Sequence, residues 1–99
     1  MTTLTRTGSC SWVVEGELTF ATVAGILDQA PQVNPSAVGV LDLAGVTRAD
    51  SAGLALLVEW LGIARDRGST LEFTGLPAEI LRLVQVADLD SLICDSHSR

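Results

Sequence analysis

Lysine is absent from this 99-residue sequence, and the six basic residues are all arginine. Twelve acidic residues set the net charge at −6, so no basic stripe is available to neutralise phosphates. This argues against nucleic acid and anionic membrane surfaces as partners and favours a basic protein. Without lysine there is no P-loop contact to the β- and γ-phosphates, and the glycines form no GxGxxG. We therefore expect no cofactor.

Histidine is nearly absent as well, which limits the chemistry open to Ser51. In the segment TRADSAGLALL, residues 47–57, this serine formally fits a small-x-Ser-x-Gly elbow. An acyl-transfer serine needs a base that is held firmly in place. The only histidine, His97, lies two residues from the end of the sequence, in a tail that we predict to be disordered. We therefore expect that the protein is not an enzyme and has no catalytic residues.

Cysteine is too scarce for a zinc site. Cys10 and Cys94 are far apart and lack a CxxC spacing, which favours two reduced thiols over a disulfide. Asp42 and Asp50 stand eight residues apart with no third ligand in view. We interpret them as a polar strand end and a helix cap, and expect no metal site.

Long hydrophobic runs are missing too. Residues 1–12 lack the apolar core of a signal peptide, and the longest uncharged apolar stretch, 52–58, is far shorter than the ~20 residues that cross a bilayer. We therefore expect a cytoplasmic protein.

Hydrophobic residues make up 47% of the chain, which is enough for one packed domain. We place this domain at residues 1–94, followed by a disordered C-terminal tail at 95–99. Turn signals and apolar spacing predict strands at 3–6, 11–16, 37–43 and 69–75, helices after Thr19, at 51–67 and from Pro77, and a last short strand or turn at 88–94. Strands that alternate with helices predict an α/β fold with a mostly parallel sheet.

The helix predicted at 51–67 carries two apolar stripes. The first, which should face the sheet, contains Leu54, Leu57, Val58, Leu61 and Ala64. The second contains Leu56, Trp60 and Ile63. Two interpretations of the second stripe stay open: it packs against a neighbouring helix, or it is partly exposed beside Ser51 as a binding hot spot. The other aromatic residues are predicted to be core: Trp12, Phe20 and Phe73.

Ser51 lies at the predicted start of this helix. Either Asp50 or Ser51 should cap the helix by accepting hydrogen bonds from its free N–H groups, which leaves the other residue available. A phosphoryl group on Ser51 would be tolerated beside those donors and would repel an acidic partner. Ser51 is therefore a possible phosphorylation site that alters binding more than folding.

Nearly the whole chain resembles a STAS domain, the module of anti-sigma factor antagonists and sulfate-transporter tails. The similar segments are GELTFATVAGIL and VGVLDLAGVTRADSAGLALLVEWLGIARDRGSTLEFTGLPAEILRLVQVADL. The most specific piece is Asp50-Ser51-Ala52-Gly53-Leu54. The resemblance implies the STAS fold, a mixed, mostly parallel sheet of four or five strands with helices mainly on one face.

Within this family the sequence is most similar to the cytoplasmic STAS subunits of Mla phospholipid ABC transporters, the MlaB type. The resemblance implies a non-catalytic subunit that binds the ATP-binding subunit (MlaF-like), and through it the permease, to maintain outer-membrane lipid asymmetry. Such a subunit is cytoplasmic and peripheral to the inner membrane through its partner. The implied partner-binding residues are Asp50, Ser51, Ala52, Gly53, Leu56 and Trp60.

The alternative within the family is an anti-sigma factor antagonist regulated by phosphorylation. Those proteins usually have Asp-Ser-Ser-Gly at this loop, and a partner kinase phosphorylates the first serine. Ser51 matches this phosphate acceptor, whereas Ala52 departs from the second serine. The partner would then be an anti-sigma factor serine kinase.

Overall fold

The computed structural model describes residues 2–88. Its elements, in chain order, are β1 (Thr3–Gly8), β2 (Ser11–Leu18), a single 3₁₀ turn (Val23–Gly25), β3 (Val38–Ala49), α1 (Ser51–Asp66), β4 (Thr70–Thr74) and α2 (Ala78–Val86). The strand or turn predicted at 88–94, apart from its first residue, and the disordered tail predicted at 95–99 lie outside the described residues.

The four strands form one mixed sheet in the order β1-β2-β3-β4. β1 and β2 are antiparallel, as the predicted turn between them requires, while β2–β3 and β3–β4 are parallel. The parallel pairs result from chain segments that cross over one face of the sheet before the next strand begins. This confirms the α/β prediction of a mostly parallel sheet.

The core lies on one face of the sheet only. Trp12, Leu41 and Phe73 are register partners across β2, β3 and β4, and each is at most 5% exposed. Their neighbours in the next row, Val13 and Asp42, point to the opposite face and are half-buried. Since side chains alternate between the faces of a strand, the helices cover one face and leave the other open.

α1 begins at the predicted residue and ends one residue before the predicted end. Asp50 is its N-cap, and Gly68, at φ +74°, follows its last turn in the left-handed conformation that glycine adopts without strain. The stripe predicted to face the sheet is buried at Leu54, Leu57 and Ala64 and half-buried at its other two positions. α1 contacts β3, β4, α2 and the 3₁₀ turn, and so lies at the centre of the helical layer.

The prediction of a helix after Thr19 is wrong. Only the 3₁₀ turn forms there, and Phe20, predicted to be core, is 87% exposed. The segment is rich in weak helix formers, and its side chains offer the backbone other partners. The Thr22 hydroxyl donates to the Glu17 carbonyl oxygen (2.8 Å) and accepts from the Thr19 N–H (3.0 Å), which fixes a compact turn in place of a regular helix.

α2 and β3 differ from the predictions in detail. Pro77 is the N-cap of α2, so the helix begins one residue later than predicted. Ile80 and Val84 of α2 are buried and Leu83 is half-buried, whereas Ala87 at the helix end is exposed. β3 continues to Ala49 because β2 pairs with it as far as Leu18. Within residues 2–88 no helix combines the length and apolarity that crossing a membrane requires.

Candidate docking site at the start of α1

Asp50 fastens the start of α1 to the end of β2. One carboxylate oxygen, Oδ1, accepts from the Ala52 N–H at 2.9 Å, and the other, Oδ2, accepts from the Phe20 N–H at 3.1 Å. The Asp50 N–H in turn donates to the Leu18 carbonyl oxygen at 3.1 Å. The predicted helix cap is therefore Asp50, and its side chain also positions Phe20. We call Thr19–Phe20 together with Asp50–Ala52 the Ser51 corner.

The hydrogen bonds at Asp50 favour its charged form. The Phe20 N–H is the main reason that the pKa of the Asp50 carboxyl lies below its ordinary value. Partial desolvation opposes this shift, while the N–H groups of Ala52 and Gly53 and the Arg48 charge reinforce it. A carboxylate that is ionised and already accepts two backbone hydrogen bonds is a poor general base for the neighbouring serine.

Ser51 is the first residue of α1 and is exposed. Because Asp50 provides the cap, the Ser51 hydroxyl is the member of the pair left available, as the sequence argument anticipated for one of the two. Ala52 follows it half-buried at the edge of the corner. A hydroxyl at an exposed helix N-terminus, beside an exposed aromatic ring, can accept a partner's donor or a phosphoryl group.

Gly53 has a structural task inside the protein. It is buried, and a Cβ atom at this position would lie 2.5 Å from the Leu18 carbonyl oxygen and 2.9 Å from the Leu18 Cβ. Only glycine lets α1 approach the end of β2 this closely. Gly53 therefore shapes the corner from beneath, and its small surface leaves little for a partner to contact.

The second stripe of α1 is packed inside the protein, which corrects the expectation that Leu56 and Trp60 supply exposed contact area. Each is 1% exposed, and Ile63 is half-buried. The Trp60 Nε1–H donates to the Leu27 carbonyl oxygen at 3.3 Å, which ties α1 to the segment between β2 and β3. The stripe is therefore packed rather than exposed, but against a largely irregular segment and not against the helix that the first interpretation predicted.

A groove of about 840 Å³ runs between α1 and this segment. Its apolar lining includes Phe20, Val23, Leu27, Ala55, Leu56 and Ile63. The groove begins at the Ser51 corner, because Phe20 and Ala52 belong to both. Among residues 2–88 no group of acidic, histidine or cysteine side chains is arranged to hold a metal ion.

The comparisons with known proteins agree with this fold. The family model described as "Mlab, STAS domain" matches residues 3–94. The chain belongs to the STAS domain family, in its MlaB-type group. Within the Ser51 corner, Asp50–Ala52 is therefore the part of a STAS domain that leads from a central strand into the following helix. A search of curated proteins found no match.

Two solved structures show how the STAS fold is shared. A sulfate transporter family protein from Wolinella succinogenes superimposes with a TM-score of 0.62 at 20% identity, covering 85% of this chain and 70% of that one. The structure named Mglu matches with a TM-score of 0.56 at 25% identity, covering 79% of this chain and 20% of that one. This chain thus corresponds to about a fifth of Mglu. The first likeness supports the fold alone.

Sequence reasoning missed two features of the site, the exposure of Phe20 and the groove beside it. Phe20 shares helical spacing with Val23 and Leu27, which favoured a buried face. The β-branched residues of this segment and Gly25 have low helix propensity, and this was the signal against a helix. No local signal shows that these apolar side chains would line an open groove.

Proposed function

We propose that this protein is the non-catalytic STAS subunit of a bacterial Mla-type phospholipid ABC transporter. It binds the ATP-binding subunit through the Ser51 corner and supports that subunit's assembly or activity, which helps maintain outer-membrane lipid asymmetry. In this function it works in the cytoplasm, peripheral to the inner membrane through its partner.

The observation that carries this proposal is the match to the MlaB-type family model over residues 3–94. The geometry of the corner supports it. Ser51 is exposed at a capped helix start, Asp50 holds the backbone of Phe20, and Phe20 is 87% exposed. An aromatic ring beside polar groups is typical of residues that dominate protein–protein binding energies. Asp50 and Gly53 build the corner, while Ser51 and Phe20 are its contact residues.

Ser51→Glu should weaken binding of the ATP-binding subunit with little loss of thermal stability. The added carboxylate lies at the contact, whereas the positive end of the helix dipole tolerates it. The measurement is a pull-down with the purified ATP-binding subunit encoded in the same genome, alongside a melting curve of each variant. Ser9→Glu is the matched control, because Ser9 is exposed in the turn between β1 and β2, at the opposite end of the sheet.

Undiminished binding by Ser51→Glu would refute the role of the corner. Equal losses in Ser51→Glu and Ser9→Glu would point to a general charge effect and would also count against it. Failure of the wild-type protein to bind any ATP-binding subunit of a phospholipid transporter would refute the proposed function itself.

A second candidate is a phosphorylation-regulated anti-sigma factor antagonist, which the exposure of Ser51 favours. Its partner would be an anti-sigma factor serine kinase. Phosphate incorporation at Ser51 by a purified cognate kinase, absent in Ser51→Ala, would support this function over transport. Neighbouring genes provide a simple discriminator: a permease and an ATPase favour transport, whereas a sigma factor and a kinase favour the switch.

A further inference from the structure

The groove beside α1 has the shape of a site for another helix. On the α1 side its lining residues run from Ala52 through Ala55 and Glu59 to Ile63, so the groove follows the helix axis for about three turns, or roughly 16 Å. The opposite wall is the segment that contains the 3₁₀ turn. A helix laid along α1 in this space would lie parallel to it at the 8–10 Å spacing of packed helices.

Apolar side chains are exposed where such a helix would lie. Phe20 is 87% exposed at one end of the groove, and Leu27 is 43% exposed on the wall opposite α1. Leu56 forms the buried floor between them. These side chains offer a partner an apolar strip with one aromatic anchor, the pattern of helix-in-groove recognition.

The charges on the groove indicate the chemistry of its occupant. Asp28 lies on one wall and Glu59 on the other, and within residues 2–88 neither carboxylate has a cationic partner. Among the described residues that line the groove, the one basic side chain is Arg67, which donates from Nη1 to the Gln32 Oε1 at 2.7 Å at the far end. Together with the net charge of −6, this arrangement repels fatty acids and anionic lipids and attracts cations on both sides of an apolar strip.

We propose that the groove binds an amphipathic helix of the partner protein, whose apolar stripe is flanked by arginine or lysine on both sides. The helix packs on Leu27 and Ala55 above the buried Leu56, covers Phe20, and places its cations against Asp28 and Glu59. The proposal rests on the proposed function in one respect, since the ATP-binding subunit would supply the helix. In this arrangement the Ser51 corner contacts the partner at one end of the groove, and the groove binds the partner's helix along its length.

Two sets of variants test the groove in the complex with the ATP-binding subunit. Ala55→Trp fills the groove from an exposed position, and the double variant Asp28→Arg/Glu59→Arg reverses both of its acidic charges. The matched control, Glu15→Arg/Glu72→Arg, makes the same change in net charge at two exposed strand positions outside the groove. We expect each groove variant to weaken the affinity about tenfold at low salt and the control to change it less than about threefold.

A model peptide tests the groove independently of the transporter subunit. The probe is a 14-residue synthetic helix with a leucine stripe flanked by lysines, compared with a peptide in which glutamates replace the lysines. We expect the lysine peptide to shift amide resonances in residues 20–28 and 52–63 of the wild-type protein. It should bind at least about tenfold more tightly than the glutamate peptide.

The outcomes separate this inference from the proposed function. Binding of the ATP-binding subunit that is lost in Ser51→Glu but kept in both groove variants would overturn the groove inference and leave the proposed function standing. If the subunit does not bind wild-type protein at all, the proposed function fails and the peptide comparison alone decides the groove.

Other occupants of the groove would also overturn the inference. Equal affinity for the two peptides, binding of neither, or tighter binding of oleate than of the lysine peptide would exclude a basic helix. So would a wild-type dimer in sedimentation equilibrium that Ala55→Trp converts to monomer, because a second copy would then occupy the groove. Helical NMR secondary shifts throughout residues 20–28 of the free protein would show that the chain closes the groove itself.

Discussion

At the scale of single residues, the corner depends on one carboxylate whose two oxygens accept hydrogen bonds from two different segments. Asp50 caps α1 with Oδ1 and holds the Phe20 backbone with Oδ2. If Asp50 only capped the helix, the Phe20 N–H would lack this acceptor, and the position of the exposed Phe20 side chain would be less well defined. The same two hydrogen bonds lower the pKa of the Asp50 carboxyl, so the stability of the corner is linked to pH.

Asp50→Asn should lower the melting temperature at pH 7. Only the oxygen of the asparagine amide accepts hydrogen bonds, so one of the two backbone N–H groups loses its acceptor. The folded-state pKa of Asp50 is below its unfolded value. The charge therefore stabilises the fold above about pH 4 and loses this effect as the pH falls through the folded pKa. The difference in melting temperature between wild type and variant should be largest at neutral pH and shrink as the pH falls through the folded pKa of Asp50.

Circular dichroism melts at about pH 7, 4 and 2.5 measure this difference. Asp28→Asn is the control, since within the described residues its side chain makes no hydrogen bond, and it should melt like the wild type at pH 7. A gap between Asp50→Asn and the wild type that stays constant down to pH 2.5 would contradict the assignment.

At the scale of elements, α1 lies close to the end of β2 at its first turn, and the two glycines of the helix differ in what surrounds them. Gly53 and Gly62 are both inside this helix. A Cβ at Gly53 would collide with Leu18, whereas one at Gly62 would meet nothing within 4 Å. Intrinsic helix propensity favours alanine at both positions, so the two glycines separate packing from propensity.

Gly53→Ala should therefore destabilise the protein by about 1–3 kcal/mol, because the first turn of α1 must move away from β2. Gly62→Ala should stabilise it by about 0.5–1 kcal/mol, since alanine loses less backbone entropy on folding. Urea unfolding of the two variants gives both values. Stabilisation by both substitutions would show that the close approach at Leu18 is relaxed in solution.

At the scale of the whole molecule, a single helical layer on one face of the sheet makes up the core. Trp12, Leu41 and Phe73 form a continuous buried row across three strands. In a domain of this size, stability is a small difference between large terms. A substitution that weakens the packing of this row should therefore destabilise β2, β3 and β4 together.

Leu41→Ala should cost about 2–5 kcal/mol, and the protein should still unfold in one transition with the same midpoint by near-UV and far-UV circular dichroism. Val40→Ala is the control: Val40 immediately precedes Leu41 in β3 and is half-buried on the open face, and its truncation should cost about 1 kcal/mol or less. Equal costs for the two variants would mean that both faces of the sheet are covered in solution.

Local patterns in the sequence were enough to predict most elements of the fold. The alternation in β1 and β2, the apolar run of β3 and the period of α1 up to Gly68 each depend on neighbours within a few residues, and the structure confirms them. The STAS resemblance, whose most specific piece is residues 50–54, added a mixed sheet of four or five strands with helices mainly on one face. Prediction also located Ser51 at a helix start, because capping chemistry is local.

Only the tertiary structure decided which apolar side chains are buried and which stay accessible. Trp60 and Phe20 are both apolar residues on segments with helical spacing, yet Trp60 is 1% exposed and Phe20 is 87% exposed. The hydrophobic effect is not directional, so an apolar stripe can be buried equally well by the chain itself or by a partner protein. The irregular segment after β2 covers Trp60 and leaves Phe20 beside Ser51. That arrangement depends on contacts across about 30 residues of sequence, such as the Asp50–Phe20 hydrogen bond, which no local pattern records.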